Sequence, residues 1–447
     1  MRRFDGAGSR VGRFEAKGRK LLFPVMSPAG NHLVAAAFRG VGVDAEVMET
    51  YQGLSLGKEF TSGKECYPCL VTLGDILFHL KREKERLGAS FSGEKYVYFL
   101  PESEGPCRFG MYNMFQRLAM DHFPELRDVP IASVTSKDAY SASGFIPEKH
   151  ASAFRRLSFD AITVGDALDR VVRRARPYEL RPGSTDECRD AALAALGEAV
   201  EADGLRAGRR RTLETLADTA RTMRSLMDHS LPRRPRIGIV GEIYVRCHPD
   251  SNQHIVRLLE ECGGEVVNSS VSEWFAFITY MKGRQKKRLL KKALARRRLS
   301  SIWKTGREWL PLAAEYVYLR RRQRTIYGCA GKELDILGDP CIGDVEKRLE
   351  NDRYFTFDIG TETSMSIGGA LEFAHEGFNG VVNVYPFTCM PGTMASAVLN
   401  PLLGSMGMPS MECSYDGTVQ PNREVAVSTF VYQARQHMER QGRAVAV

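Results

Sequence analysis

The chain has 447 residues, 43% hydrophobic and 26% charged, the balance of a globular protein long enough for two or three domains. No apolar run approaches the ~20 residues that span a bilayer. The basic start, MRRFDGAGSRVGRFEAKGRK, lacks the apolar stretch of a secretory signal. Ten scattered cysteines are too few for a disulfide scaffold, so a cytoplasmic protein with reduced thiols is expected. The net charge is +9, yet residues 281–300 alone carry ten Lys or Arg and no acid, which leaves −1 for the remainder. The basicity is therefore local. No nucleic-acid motif accompanies it, which makes nucleic acid a poor candidate partner.

In chain order, residues 1–19 read as a flexible basic leader. Residues 20–147 read as a first α/β subdomain, opening with a strand from Lys20 to Met26, a helix from about Asn31 and a second strand ending near Met48. A strand at Tyr96–Leu100 then leads into a loop that holds Cys107. Residues 148–232 turn helical and charged and read as a bridge, broken at Pro177 and Pro182-Gly183. The α/β grammar returns over 233–435, with a strand at Ile237–Gly241, a cap at Ser251 or Asn252, a helix at Ile255–Cys262 and a strand at Glu265–Val267. A basic helical excursion occupies 274–330, where Ile278, Leu290, Leu294, Ile302 and Trp303 predict one packed face. Strands at Val381–Tyr385 and near Cys413 follow, and 436–447 reads as a tail. The predicted fold is α/β: two doubly wound, flavodoxin- or Rossmann-like parallel-sheet subdomains joined by a helical layer.

Three cysteines share a setting. Cys66 in ECYPC, Cys107 in GPCRFG and Cys389 in FTCMPGT each have proline or glycine within three residues and stand in loops beside strand or helix ends. Iron-bound thiolates use such loops, where free backbone N–H groups can face sulfur. Three-cysteine metal binding, ordinary structural thiols and a Cys66/Cys69 redox dithiol all remain open on this evidence. Zinc usually takes two close ligand pairs, and the chain has only one. Cys247, beside His248, is a weaker ligand candidate. Cys341 can begin a helix, Cys262 reads as core, and Cys188 and Cys329 lie in helical polar context. Glu242, His248 and Asn252 are candidate pocket or capping residues, and Arg108 is a candidate charge partner for a cluster.

The blocks TSGKECYPCLVTLGD, GPCRFGMYN, RPRIGIVGEIYVRCHPDSNQHIVRLLEE, SEWFAFITY, VYPFTCMPGTMASAVLNPL and YDGTVQPN, over about residues 20–435, resemble the 2-hydroxyglutaryl-CoA dehydratase and CoA-enzyme activase-related family. The resemblance implies an oxygen-sensitive iron–sulfur cluster, of 4Fe-4S or double-cubane type, held by Cys66, Cys107 and Cys389, with Cys69 as a non-ligand. It further implies low-potential electrons from an ATP-dependent activase with its own 4Fe-4S cluster, an acyl-CoA substrate, and a homo- or heterodimer. A lyase of the 2-hydroxyacyl-CoA dehydratase kind, or a reductase component, is the activity implied; a non-catalytic electron-transfer or scaffold partner of an activase is the alternative. The chain has no Gly-rich phosphate loop, so the activase is expected to be a separate polypeptide.

Overall fold

The structure, a computed structural model, describes residues 10–14, 16, 18–138 and 140–445. Five parallel strands, β1 (Val11–Gly12), β2 (Lys20–Phe23), β3 (Ala45–Val47), β4 (Tyr96–Phe99) and β5 (Ile131–Ala132), form a sheet in the order β1-β5-β4-β2-β3. Four more, β6 (Arg236–Gly241), β7 (Glu265–Asn268), β8 (Gly380–Pro386) and β9 (Ser410–Tyr415), form a second parallel sheet in the order β7-β6-β8-β9. Ile237 of β6 lies opposite Val266 on one side and Gly380 on the other. Strands covered on both faces need continuous apolar runs, and β6 and β8 supply them.

The first sheet is wrapped by α1 (Pro28–Arg39), α2 (Leu54–Glu59), α3 (Tyr67–Leu87) and α4 (Tyr112–Met120). Three helices follow, α5 (Glu148–Ala175), α6 (Ser184–Asp203) and α7 (Arg210–Ser225), with α5 packed on both α1 and β7. Around the second sheet run α8 (Ile243–Cys247), α9 (Ile255–Glu261), α10 (Ser272–Ala295), α11 (Leu299–Gly331), α12 (Ile342–Asn351), α13 (Glu362–His375), α14 (Met390–Ser405) and α15 (Arg423–Val445). The expected α/β class with two doubly wound sheets and an intervening helical layer is the one observed. Helix α3 ties the halves together. Leu73, Ile76 and Leu80 pack into the first sheet's core, while Tyr67 and Val71 join the core of the second with Ile239 and Val384. Each fully buried aliphatic side chain of this kind stabilises the fold by roughly 1.5–3 kcal/mol.

Three segments depart from the sequence reading. The expected leader 1–19 contributes an edge strand, since Val11 pairs with Ile131, and Ala16 is fully buried; residues 1–9, 15 and 17 lie outside the described residues. The expected tail 436–447 is, as far as Val445, the last turns of α15. The basic excursion is two helices packed on each other, and its packed face holds Ala276, Phe277, Ile278 and Ala293 but not all of the expected residues. The chain turns through Arg297, at φ +51°, and leaves Leu294 and Trp303 exposed. Part of its charge is paired on the body of the protein, where Arg284 bridges Glu346, Glu350 and Asp358.

Candidate functional site

Both sheets reverse their winding beside their first central strand, between β2 and β4 in one and between β6 and β8 in the other. Ligands of open parallel sheets bind beyond the carboxyl ends of strands at such a reversal. Here the two reversals face each other. Pro24 after β2, Cys107 after β4, Glu242 after β6 and Cys389 after β8 line one cavity of ≈ 260 Å³.

Five helical segments begin at its wall. Cys66 precedes α3, Cys107 precedes the 3-10 turn Arg108–Met111 that runs into α4, and Cys389 precedes α14. Glu242 precedes α8, and Glu362 is the first residue of α13. Helix starts leave N–H groups unpaired and carry partial positive charge, so they favour thiolates and other anions. The local sequence explains two of these starts. Cys66-Tyr67-Pro68 and Cys389-Met390-Pro391 both place proline in the first turn, where its missing N–H costs nothing. Glu242 is aimed by Gly241, whose φ of +115° and 2.0 Å approach of a would-be Cβ to the Val384 carbonyl oxygen admit only glycine.

Arg108 laces the three cysteine loops. Next to Cys107, it donates from Nη1 to the Lys64 carbonyl at 2.6 Å, two residues before Cys66. From Nη2 it donates to the Thr388 carbonyl at 2.9 Å and to Thr388 Oγ1 at 3.3 Å, one residue before Cys389. Thr388 itself sits at φ +61°. Arg108 thus holds backbone rather than pairing with a surface carboxylate.

Burial pushes the Cys66 thiol up to about 11, with Glu242 adding to the rise and the Tyr112 hydroxyl pulling the other way. Burial, then Glu362, pushes Cys107 up to about 12, against the Phe109 N–H that faces its sulfur. Cys389 is raised further by burial and by both glutamates, against the Gly392 N–H. The thiols therefore hold their protons unless a cation binds, and loading with metal releases them. The carboxylates are themselves a pair. Glu242 accepts from the N–H groups of Tyr244 at 2.9 Å and Val245 at 2.8 Å, which favour its ionised form. Glu242 is nonetheless raised by burial, against those N–H groups and the charge of Arg246, and Glu362 is raised by burial and then by the charge of Glu242.

Cys66, Cys107 and Cys389 come together on this cavity, and Cys69 and Cys247 do not. Cys69, one helical turn after Cys66, points into the first core beside Gln116 and is raised to about 12 by burial, unlike the depressed thiol of a redox dithiol. Cys247 lies near Asn268. His248 is buried off the cavity, with Nε2 at 2.8 Å from Thr50 Oγ1, and Asn252 accepts from the Ile255 N–H at 3.1 Å just ahead of α9, whose N-cap position is His254 rather than Ser251 or Asn252. Glu362 was not singled out in sequence. Its only signal is Thr361-Glu362 at a helix start, and its role comes from the approach of α8 to α13.

Among the described residues, no three His, Cys, Asp or Glu side chains converge as a single metal ion requires. Cys66, Cys107 and Cys389 instead line a common cavity. A multi-iron cluster takes its thiolates in that way, one to each iron, whereas tetrahedral zinc gathers them on one point. Three thiols on one cavity, with backbone N–H groups facing two of the sulfurs, are donors of the kind that a cluster uses. The chain matches no family model and no curated protein. Among the described residues, no helix is long and apolar enough to cross a membrane.

Proposed function

We propose that this chain is an iron–sulfur protein of the 2-hydroxyacyl-CoA dehydratase kind, with Cys66, Cys107 and Cys389 as ligands of a 4Fe-4S or double-cubane cluster. It receives low-potential electrons from a separate ATP-dependent activase and works in the cytoplasm on an acyl-CoA, as a homo- or heterodimer. The observation that carries the reading is the meeting of three thiols, from loops as far apart as Cys66 and Cys389, on one cavity whose loops Arg108 ties together. A bound cluster would supply one-electron chemistry at low potential.

The chain's own residues do the rest. Aromatic and aliphatic side chains make up most of the cavity wall, which would lower the local dielectric around a bound cluster. Glu362 holds a proton on its carboxyl at neutral pH, beside the three thiols. Tyr112 sets its hydroxyl against Cys66. The enzymatic reading is favoured over a purely electron-carrying one because the cavity extends well past the cysteines, to Phe154 and Phe159 of α5. Anaerobic purification with iron and sulfide quantitation and EPR tests the proposal. A brown protein with about four irons per cubane is expected, and a colourless, metal-free, fully folded anaerobic preparation overturns it.

A further inference from the structure

Away from the cavity, α10 and α11 form a hairpin of which little is covered. Of residues 280–318 only Ala293 is buried. The body holds the hairpin near its base, where Arg284 and Arg288 pair with Asp358 and where Glu315 accepts from Arg155 at 2.6 Å. Farther out, Lys286 of α10 pairs with Glu308 of α11 at 2.5 Å, so the two helices brace each other. No Asp or Glu lies between Glu273 and Glu308. Toward the tip Lys287, Lys291, Lys292, Arg296, Arg297 and Arg298 are exposed and make no ion pair among the described residues. Like charges this dense repel one another, and an anionic partner relieves that repulsion. Among them stand three large apolar side chains, Leu294 at 52% exposure, Leu299 at 81% and Trp303 at 71%. Apolar groups gathered within a polar rim mark a docking surface.

The arrangement discriminates among anionic partners. Lys291 and Lys292 are consecutive on α10, and Arg296, Arg297 and Arg298 are consecutive through the turn. Neighbours on a helix point about 100° apart, so the charges fan round the tip instead of lining one face. A rigid acidic protein or a nucleic-acid duplex presents one face. A fluid layer of anionic headgroups meets an inserted tip on all sides, with lysine and arginine stems reaching up to it. The leucines and the tryptophan have no counterpart on a phosphate backbone, whereas the boundary between headgroups and acyl chains takes both. A second copy of the tip would bring like charges together.

We infer that the α10–α11 tip docks the chain on an anionic lipid surface, with Leu294, Leu299 and Trp303 entering the headgroup boundary and the surrounding cations held by lipid phosphates. The docking is peripheral, since no described helix is long and apolar enough to cross a membrane. Trp274 and Phe275, which line the cysteine cavity, lie at the other end of α10, about 30 Å along the helix.

The test is flotation of the anaerobically purified full chain with vesicles of phosphatidylcholine alone and with vesicles containing about a third phosphatidylglycerol. Saturable partition onto the anionic vesicles, none onto phosphatidylcholine alone, and release at high salt are expected. Lys291→Gln, Lys292→Gln, Arg296→Gln and Arg298→Gln together should weaken binding roughly a hundredfold or more, at about fivefold per cation. Leu294→Ser, Leu299→Ser and Trp303→Ser together should weaken it about tenfold or more. All seven positions are exposed, and circular dichroism with the thermal midpoint checks that both variants are folded. The same proteins are titrated with a DNA duplex and with polyglutamate, which the parent should bind more weakly than the vesicles at equal charge and which the apolar variant should bind as the parent does. No binding to the anionic vesicles, equal binding to both kinds of vesicle, vesicle binding untouched by either variant, or tighter binding of either polyanion than of the vesicles would overturn the inference. The expected binding is the same for iron-loaded and iron-free chains, so it stands or falls apart from the cluster.

Discussion

The two halves of the molecule wind their strands in the same way and furnish different walls to one cavity. The first sheet brings Cys66 and Cys107, the lacing Arg108 and the aromatic side of α1. The second brings a single cysteine, Cys389, and both buried carboxylates, Glu242 and Glu362. Thiols come from both sides, while the buried carboxylates come from one. A site divided in this way exists only when the halves are docked, so the contacts between them are as much a part of the site as its lining.

The largest effect is expected where the second wall is most constrained. Gly241→Ala places a Cβ 2.0 Å from the Val384 carbonyl oxygen at φ +115°, and the destabilisation should be at least about 3 kcal/mol by urea unfolding. A loss below about 1 kcal/mol would show that the β6 turn is softer than its geometry.

Next is the contact between the halves at Thr50. Its hydroxyl donates to Asp75 Oδ2 at 2.7 Å, and its oxygen lies 2.8 Å from Nε2 of His248 across the divide; His248 Nδ1 accepts from the Ser251 N–H, so Nε2 carries the proton. Burial raises Asp75 from 3.8 to about 7 and lowers His248 from 6.5 to about 3. A raised carboxyl is ionised more readily in the unfolded chain, so Asp75 withdraws stability as pH climbs from about 4 to about 7. A lowered imidazole is protonated more readily in the unfolded chain, so His248 withdraws stability as pH falls from 6.5 toward about 3. The opposed slopes overlap and largely cancel in the parent. Asp75→Asn should uncover a fall in stability toward acid, and His248→Gln a rise toward acid, each of up to about 4 kcal/mol across its window. Parallel pH profiles for both variants would contradict the assignment.

Arg108→Ala removes the tie between the cysteine loops. A loss of about 1–2 kcal/mol is expected for these hydrogen bonds, and a cluster bleached faster in air, read at the visible absorbance. Unchanged bleaching would mean that the loops hold themselves. Smallest of all, Trp303→Ser near the start of α11, 71% exposed, should alter stability by no more than about 0.5 kcal/mol. A larger change would show that this tip is covered in solution.

Much of this was legible in sequence because buried parallel strands have few alternatives. Ile237–Gly241 and Val381–Tyr385 read as strands from their apolar runs and lie within one residue of the observed ends. The three cysteine loops read as a set because Pro and Gly punctuate them. What was not legible depends on tertiary approach. The two-residue β1 has no pattern of its own and takes its strand form from β5. Helix α8 is five residues long, started by the Glu242 cap rather than by any apolar period. In the basic run, periodicity ran on across Arg297, where the chain turns, so Leu294 and Trp303 were assigned to the packed face that Ile278 does join. Glu362 carries no sequence signal beyond Thr361-Glu362 at a helix start, and the approach of α8 to α13 brings it to the cavity.

The central claim is that one cluster is shared by thiols from both halves. Iron and acid-labile sulfide per chain, after identical anaerobic purification of Cys66→Ser, Cys389→Ser and Cys69→Ala, test it most directly. The account predicts that the first two lose the cluster alike while Cys69→Ala keeps the parent's full iron content. Full iron in Cys389→Ser, or loss of iron in Cys69→Ala equal to that in Cys66→Ser, would place the metal on the first half alone and contradict it.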